Sequence, residues 1–142
     1  MNNNYDYTIY TDGGSRGNPG PSAYGFVIYD KDLNILREEG RVIGISTNNI
    51  AEYMGVVSAL RWVLLNNRIS NPSIQFFLDS TLVTNQMEGR FKIKNEKLRE
   101  LFYTAKEIEK KIDGKITYTA VRREKNREAD RLVNKALDES ES

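Results

Sequence analysis

The hydrophobic pattern of this 142-residue chain changes period near residue 47. Ahead of that point lie three strand-like segments. Tyr5–Thr11 alternates polar and apolar residues and is rich in Tyr, Thr and Ile. Ala23–Tyr29 is the second, and Leu33–Gly44 is expected to return antiparallel to it, because Asp30-Lys31-Asp32 makes a tight connection. Between the first two, Asp12–Pro21 holds four of the ten glycines and two of the three prolines, which predicts a turn or loop. After the change, helical and strand patterns alternate. Thr47-Asn48-Asn49 is an N-cap cluster ahead of Ala51–Leu65, which is apolar around most of its circumference, as in a helix buried against a sheet. Ser73–Leu78 reads as a short apolar strand and Thr81–Met87 as a short helix. Asn95–Ile112 reads as a helix with Leu98, Leu101, Phe102, Ala105, Ile108 and Ile112 on one stripe. Lys115–Val121 is a strand, and Asn126–Leu137 a last helix with Ala129, Leu132, Val133 and Ala136 inward. The order predicts a mixed α/β sheet with helices on its faces. One domain is expected over residues 1–142, with an ordered core of 5–137 and frayed ends at Met1–Asn4 and Asp138–Ser142.

The chain has no cysteine and no histidine. A disulfide partner, a thiol nucleophile, a Ser-His-Asp triad and every Cys- or His-based metal site are therefore excluded. Any metal must be held by oxygen, which points to hard ions. No run of about 18 apolar residues suggests a membrane span. The N-terminus lacks a basic segment followed by an apolar one, so a cytoplasmic location without membrane association is expected. Residues 1–85 carry 6 basic and 8 acidic side chains and residues 86–142 carry 15 and 12. That asymmetry is too small to call for nucleic acid by itself.

Four carboxylates occupy unusual places. Asp12 is expected to end the first strand, Glu52 to sit in the first turn of an apolar helix, Asp79 to end the fourth strand, and Asp130 to lie near the start of the last helix. Each has an ordinary explanation: a turn residue for Asp12, helix-dipole complementarity for Glu52, a cap for Asp79, an ion pair with Arg127 or Arg131 for Asp130. Jointly they mean more. Groups at the carboxyl ends of neighbouring parallel strands converge, and a helix packed there could add Glu52. Clustered carboxylates repel and need cations. Two divalent ions about 3.5–4 Å apart would build a phosphodiester-cleaving centre, one activating water and one stabilising the departing 3′-oxygen.

The segments Tyr10–Pro21 (YTDGGSRGNPGP), Thr47–Tyr53 (TNNIAEY), Leu78–Val83 (LDSTLV) and Asn126–Ala136 (NREADRLVNKA) also resemble type 1 ribonuclease H, in that family's order. The resemblance implies a ribonuclease H-like fold, a five-stranded mixed sheet in βββαβαβα order with helices on both faces. It implies hydrolysis of the RNA strand of an RNA–DNA hybrid, leaving 5′-phosphate and 3′-hydroxyl. It implies Asp12, Glu52, Asp79 and Asp130 as ligands of two Mg²⁺ ions, with Mn²⁺ as a substitute; separately, the chain is expected to be a monomer. It assigns hybrid contacts to Gly13, Gly14, Ser15, Asn18, Thr47, Asn48, Asn49, Arg123 and Asn126. Gly13 and Gly14 would let backbone approach the RNA, the asparagines would meet sugars and base edges, and Thr47 with neighbouring backbone N–H groups would hold a DNA phosphate. Glu52 would lie near a ribose 2′-hydroxyl, the group that separates RNA from DNA.

Two features depart from the family pattern. Several members have a histidine before the last helix, where this chain has Arg122-Arg123-Glu124-Lys125. The Trp-rich basic protrusion of some members is replaced by the short run Arg90–Arg99, which could line a phosphate track or be a solvated loop. The alternative function is a catalytically weak relative that binds hybrids, or one that binds or cuts double-stranded RNA.

Overall fold

A computed structural model describes residues 4–141. Five strands, β1 (Tyr7–Ser15), β2 (Gly20–Tyr29), β3 (Ile35–Ser46), β4 (Ser73–Leu78) and β5 (Lys115–Ala120), form one sheet in the order β3-β2-β1-β4-β5. β1, β2 and β3 are an antiparallel meander, while β1–β4 and β4–β5 are parallel. The helices are α1 (Asn48–Asn66), α2 (Thr81–Met87), α3 (Glu96–Ile112) and α4 (Arg127–Glu141). This is the mixed α/β sheet that the sequence pattern predicts.

Alternation along the strands supplies two apolar faces. On one, Ile9, Phe26, Ile28 and Phe76 form the main core with Val56, Leu60 and Val63 of α1 and the inward stripe of α3. Wholly buried side chains such as Phe26, Phe76 and Leu60 each contribute about 1.5–3 kcal/mol relative to exposure. On the other face α4 lays Val133 and Leu137 against Ala23. Two glycines set how closely the helices approach. A Cβ on Gly13 would lie 2.3 Å from backbone atoms of Ala51 and Glu52 in α1, and one on Gly25 would lie 2.6 Å from the Ala129 carbonyl in α4. Asp12 is paired with Gly25 and precedes Gly13. The helices therefore clamp the β1–β2 ladder from both sides at the level of Asp12.

Some boundaries differ from expectation. Asp12 does not end β1, and Asp12–Pro21 is not all loop. β1 continues through Asp12, Gly13 and Gly14 to Ser15, and the connection shrinks to residues 16–19. Gly13 there serves helix packing, while Gly17, at φ +91°, and Gly20, against the Arg16 and Gly17 carbonyls, serve the turn. What ends at Thr11 is the parallel ladder to β4 (Thr11↔Leu78), while pairing with β2 runs on to Ser15↔Ser22. α1 begins at Asn48 rather than Ala51, because its early N–H groups find acceptors. Asn48 N–H donates to Asn18 Oδ1 (3.1 Å), Asn49 N–H to Asn48 Oδ1 (2.9 Å) and Ile50 N–H to Thr47 Oγ1 (3.3 Å). α4 does not fray at Asp138. It reaches Glu141, where Arg16 pairs with Asp138 (2.7 Å) and Glu141 (3.0 Å). The expected fraying of Met1–Asn3 and Ser142 lies outside the described residues. Among the described residues no helix is long and apolar enough to cross a membrane.

Candidate active site

Where the β1–β4 ladder ends, two parallel strands each deliver an acid. Asp12 follows Thr11 and Asp79 follows Leu78, and those preceding residues are register partners. Glu52 arrives from α1 above Gly13. It is the fifth residue of the helix, not a first-turn residue as the sequence pattern suggests, and the first turn has no acidic side chain. Helix-dipole complementarity therefore does not account for it. One ligand oxygen from each of Asp12, Glu52 and Asp79 lies within 4.8 Å of the others. Asp12 is 6% exposed and Glu52 5%.

A single donor draws two of these acids together. The Gly13 N–H points at Glu52 Oε1 (2.8 Å) and at Asp12 Oδ1 (2.9 Å). Glu52 Oε2 is buried with no hydrogen-bond partner among the described residues, an arrangement that costs stability unless something else occupies it. Capping does not explain Asp79, because Ser80 caps α2 by accepting the Val83 N–H at 3.1 Å. Asp130, on α4, stands outside the 4.8 Å cluster. Arg131 is bonded to Glu38 (3.3 Å) and Glu128 (3.1 Å) rather than to Asp130. The Asp130 charge still reaches Asp12 and Asp79 and adds to the rise in both their pKa values.

Electrostatics follow from this crowding. Burial pushes Asp12 up from 3.8 to about 7; the neighbouring charges of Asp79 and Asp130 add to the rise, and hydrogen bonds with Glu52 and Gly13 oppose it. Burial pushes Glu52 well above the ordinary carboxylate range, and the neighbouring Asp12 and Asp79 add to the rise. Asp79 is raised by burial and pulled back by the Arg123 guanidinium, whose Nε lies 3.7 Å from Asp79 Oδ2. Oxygen-only donors, mutual repulsion and the unpartnered Glu52 oxygen fit a hard divalent cation.

The cleft over the trio, about 370 Å³, is also lined by Gly13, Asn48, Asn49 and Arg123. Arg123 belongs to a single 3₁₀ turn, Arg123–Lys125, in what the sequence suggests is plain loop. Other expected contact residues are placed differently. The Asn48, Asn49 and Ile50 N–H groups already have side-chain acceptors, so an anion at the start of α1 would meet side chains rather than free backbone donors. The Ser15 hydroxyl faces the Gly17, Gly20 and Ser46 carbonyls and closes the 16–19 connection. Gly14 faces Val133 of α4. Asn126 is 1% exposed and its amide donates to the Thr11 carbonyl (2.8 Å), so its side chain is turned away from any duplex. Gly25 escaped the sequence reading; the available signal was an isolated glycine inside an apolar strand, which marks close backbone approach.

A family model described as "Reverse transcriptase-like" matches residues 10–136. Ribonuclease HI of Halobacterium salinarum is 38% identical over 131 residues, covering 92% of this chain and 64% of that protein. A bifunctional protein of Mycobacterium tuberculosis is 40% identical over 131 residues, but the chain spans only 35% of its length. Among solved structures, LC11-RNase H1 in complex with an RNA/DNA hybrid superposes with a TM-score of 0.91 at 38% identity, over 96% of this chain and 99% of that one. The Halobacterium salinarum RNase H1 structure gives 0.85 at 38% identity, over 94% and 98%.

Proposed function

Because the chain belongs to the type 1 ribonuclease H family, we propose that it hydrolyses the RNA strand of RNA–DNA hybrids with the help of divalent cations held by its clustered carboxylates. The observation that carries this reading is the trio itself: three acids from two strands and a helix within 4.8 Å, one of them with a buried, unpartnered oxygen. Asp12, Glu52 and Asp79 would hold the ions, with Asp130 as the outer fourth ligand. Two Mg²⁺ ions, replaceable by Mn²⁺, would supply activation of water and stabilisation of the departing 3′-oxygen. Water then adds across the P–O3′ bond and leaves a 5′-phosphate and a 3′-hydroxyl.

The chain's own groups orient this centre. The Gly13 N–H fixes Asp12 and Glu52 relative to each other and engages Glu52 Oε1, leaving Oε2 as the oxygen free for an ion. Arg123 provides positive charge beside Asp79. Asn48 and Asn49, on the cleft wall, would offer amides to ribose and base edges, with Thr47 and Asn18 next to them as acceptors of the first α1 N–H groups. The exposed Lys92 and Lys94 lie between α2 and α3, where they would follow the phosphate backbone. One copy is expected to suffice for each duplex.

The test is cleavage of end-labelled RNA–DNA, RNA–RNA and DNA–DNA duplexes with Mg²⁺ and with chelator. RNA cut only in the hybrid, and only with metal, is the expected result. Tight hybrid binding without cutting would turn the reading to a binding module. Equal cutting of RNA–RNA would make it a double-stranded RNA nuclease.

A further inference from the structure

The hydrogen bond from Asn126 to Thr11 joins residues 115 positions apart, and it falls at a decisive level of the sheet. Thr11 is the last residue of β1 paired with β4, and the next residue is Asp12. On the other side of the bond, Asn126 lies at the junction between the 3₁₀ turn and α4. Its own N–H donates to the Arg123 carbonyl (2.9 Å), and its carbonyl accepts the Asp130 N–H (3.1 Å). One buried residue is thus bonded to the backbone of three others. One directly precedes Asp12, one carries the cation facing Asp79, and one is the fourth carboxylate.

The links to Arg123 and Asp130 run through the Asn126 backbone, and the link to Thr11 through its side chain, which no apolar side chain could replace. Asn126 is 1% exposed and Thr11 is fully buried. Without the amide donor, the Thr11 carbonyl would lose the partner it has in a dry environment. The first turn of α4 would then rest on β1 by packing, because the polar ties of α4 to Arg16 are made further along the helix, at Asn134, Asp138 and Glu141. Packing resists separation of the layers but tolerates sliding and rotation of a helix by a fraction of an ångström. A directional bond at 2.8 Å does not. Charges are sensitive to such displacements, and Asp130 acts on Asp12 and Asp79 through space.

We propose that Asn126 is a positioning residue that indexes Asp130 and Arg123 against Asp12 and Asp79 by tying the start of α4 to the end of the β1–β4 ladder. It touches neither substrate nor metal. The proposal rests on the ribonuclease reading for its kinetic consequence and on the geometry alone for its structural one, so the two can fail separately.

The experiment compares Asn126→Ala and the near-isosteric Asn126→Leu, which has no donor in any protonation state, with wild type and with Asp130→Asn. Amide hydrogen exchange on the metal-free protein comes first. Asn126→Ala is expected to speed exchange of the Asp130 N–H at least about tenfold beyond any change at Val133, one turn further into α4. Kinetics on the hybrid follow, well below each variant's melting temperature. Asn126→Ala is expected to lower kcat about tenfold or more with KM within about twofold, and Asn126→Ala with Asp130→Asn is expected to be no worse than Asp130→Asn alone. Asn126→Leu should behave like the alanine variant. Unchanged relative exchange at Asp130 overturns the tether. Losses that multiply in the double variant, or full activity of Asn126→Leu, overturn action through Asp130. Absence of hybrid cleavage by wild type would remove the ribonuclease reading and leave the exchange result standing.

Discussion

Replacing Asp12 by Asn should stabilise the metal-free protein, and the gain should grow with pH. Asp12 is pushed up from 3.8 to about 7, chiefly by burial. A carboxyl raised on folding contributes fully below its unfolded pKa and loses that contribution as pH rises through its folded pKa. At about 1.36 kcal/mol per pKa unit, ionising this group in the fold costs about 4 kcal/mol by pH 8, and less than about 2 kcal/mol at pH 5. Asn has nearly the same shape, its oxygen can still accept the Gly13 N–H, and it cannot ionise. Allowing for imperfect amide placement, the variant should gain about 2–4 kcal/mol at pH 8 and about 1 kcal/mol at pH 5, or about 6–12 °C and about 3 °C in Tm for a chain of this size. Thermal melts of both proteins in chelator at the two pH values measure this. A variant no more stable than wild type at the higher pH, or a gain independent of pH, would refute the assignment of Asp12 as a buried, repelled acid.

Other perturbations test neighbouring parts of the account. Gly13→Ala places a Cβ 2.3 Å from α1 backbone and should cost about 3 kcal/mol or more, seen as a fall in Tm with or without metal. Asp79→Asn should lower kcat on the hybrid about 10³-fold or more, equivalent to several kcal/mol of transition-state stabilisation, while its metal-free Tm does not fall. Hybrid affinity should drop about tenfold or more between about 50 and 200 mM salt, and a flat response in a filter-binding assay would remove the phosphate track.

Local patterns reveal much of this molecule before its long-range contacts are known. The buried stripe of α3 and the β4 strand are visible in residue spacing alone, and Ser73–Leu78 and Thr81–Met87 match the structure residue for residue. The acids Asp12, Glu52 and Asp79 stand out because nothing local requires them. What stays hidden depends on partners distant in sequence. Asn18 caps α1 from 30 residues away, which is why the helix starts early. Arg16 holds the last turn of α4 across more than 120 residues. Gly13-Gly14 has the composition of a turn, yet it lies in a strand, and Gly13 leaves the space that the α1 backbone needs. Asn126 resembles a polar contact residue until the fold buries it against Thr11.

Proton release on metal binding tests most directly whether these acids form a cation site. Mn²⁺ should be titrated calorimetrically into metal-free protein at about pH 6.5, in buffers of different ionisation enthalpy, because ligands must shed protons to bind. Asp12, pushed up to about 7, should be mostly protonated there, and Glu52 is raised in the same direction, so binding is expected to release protons, and Asp12→Asn should release fewer. Mn²⁺ binding with no proton release, or no binding at all, would contradict the account.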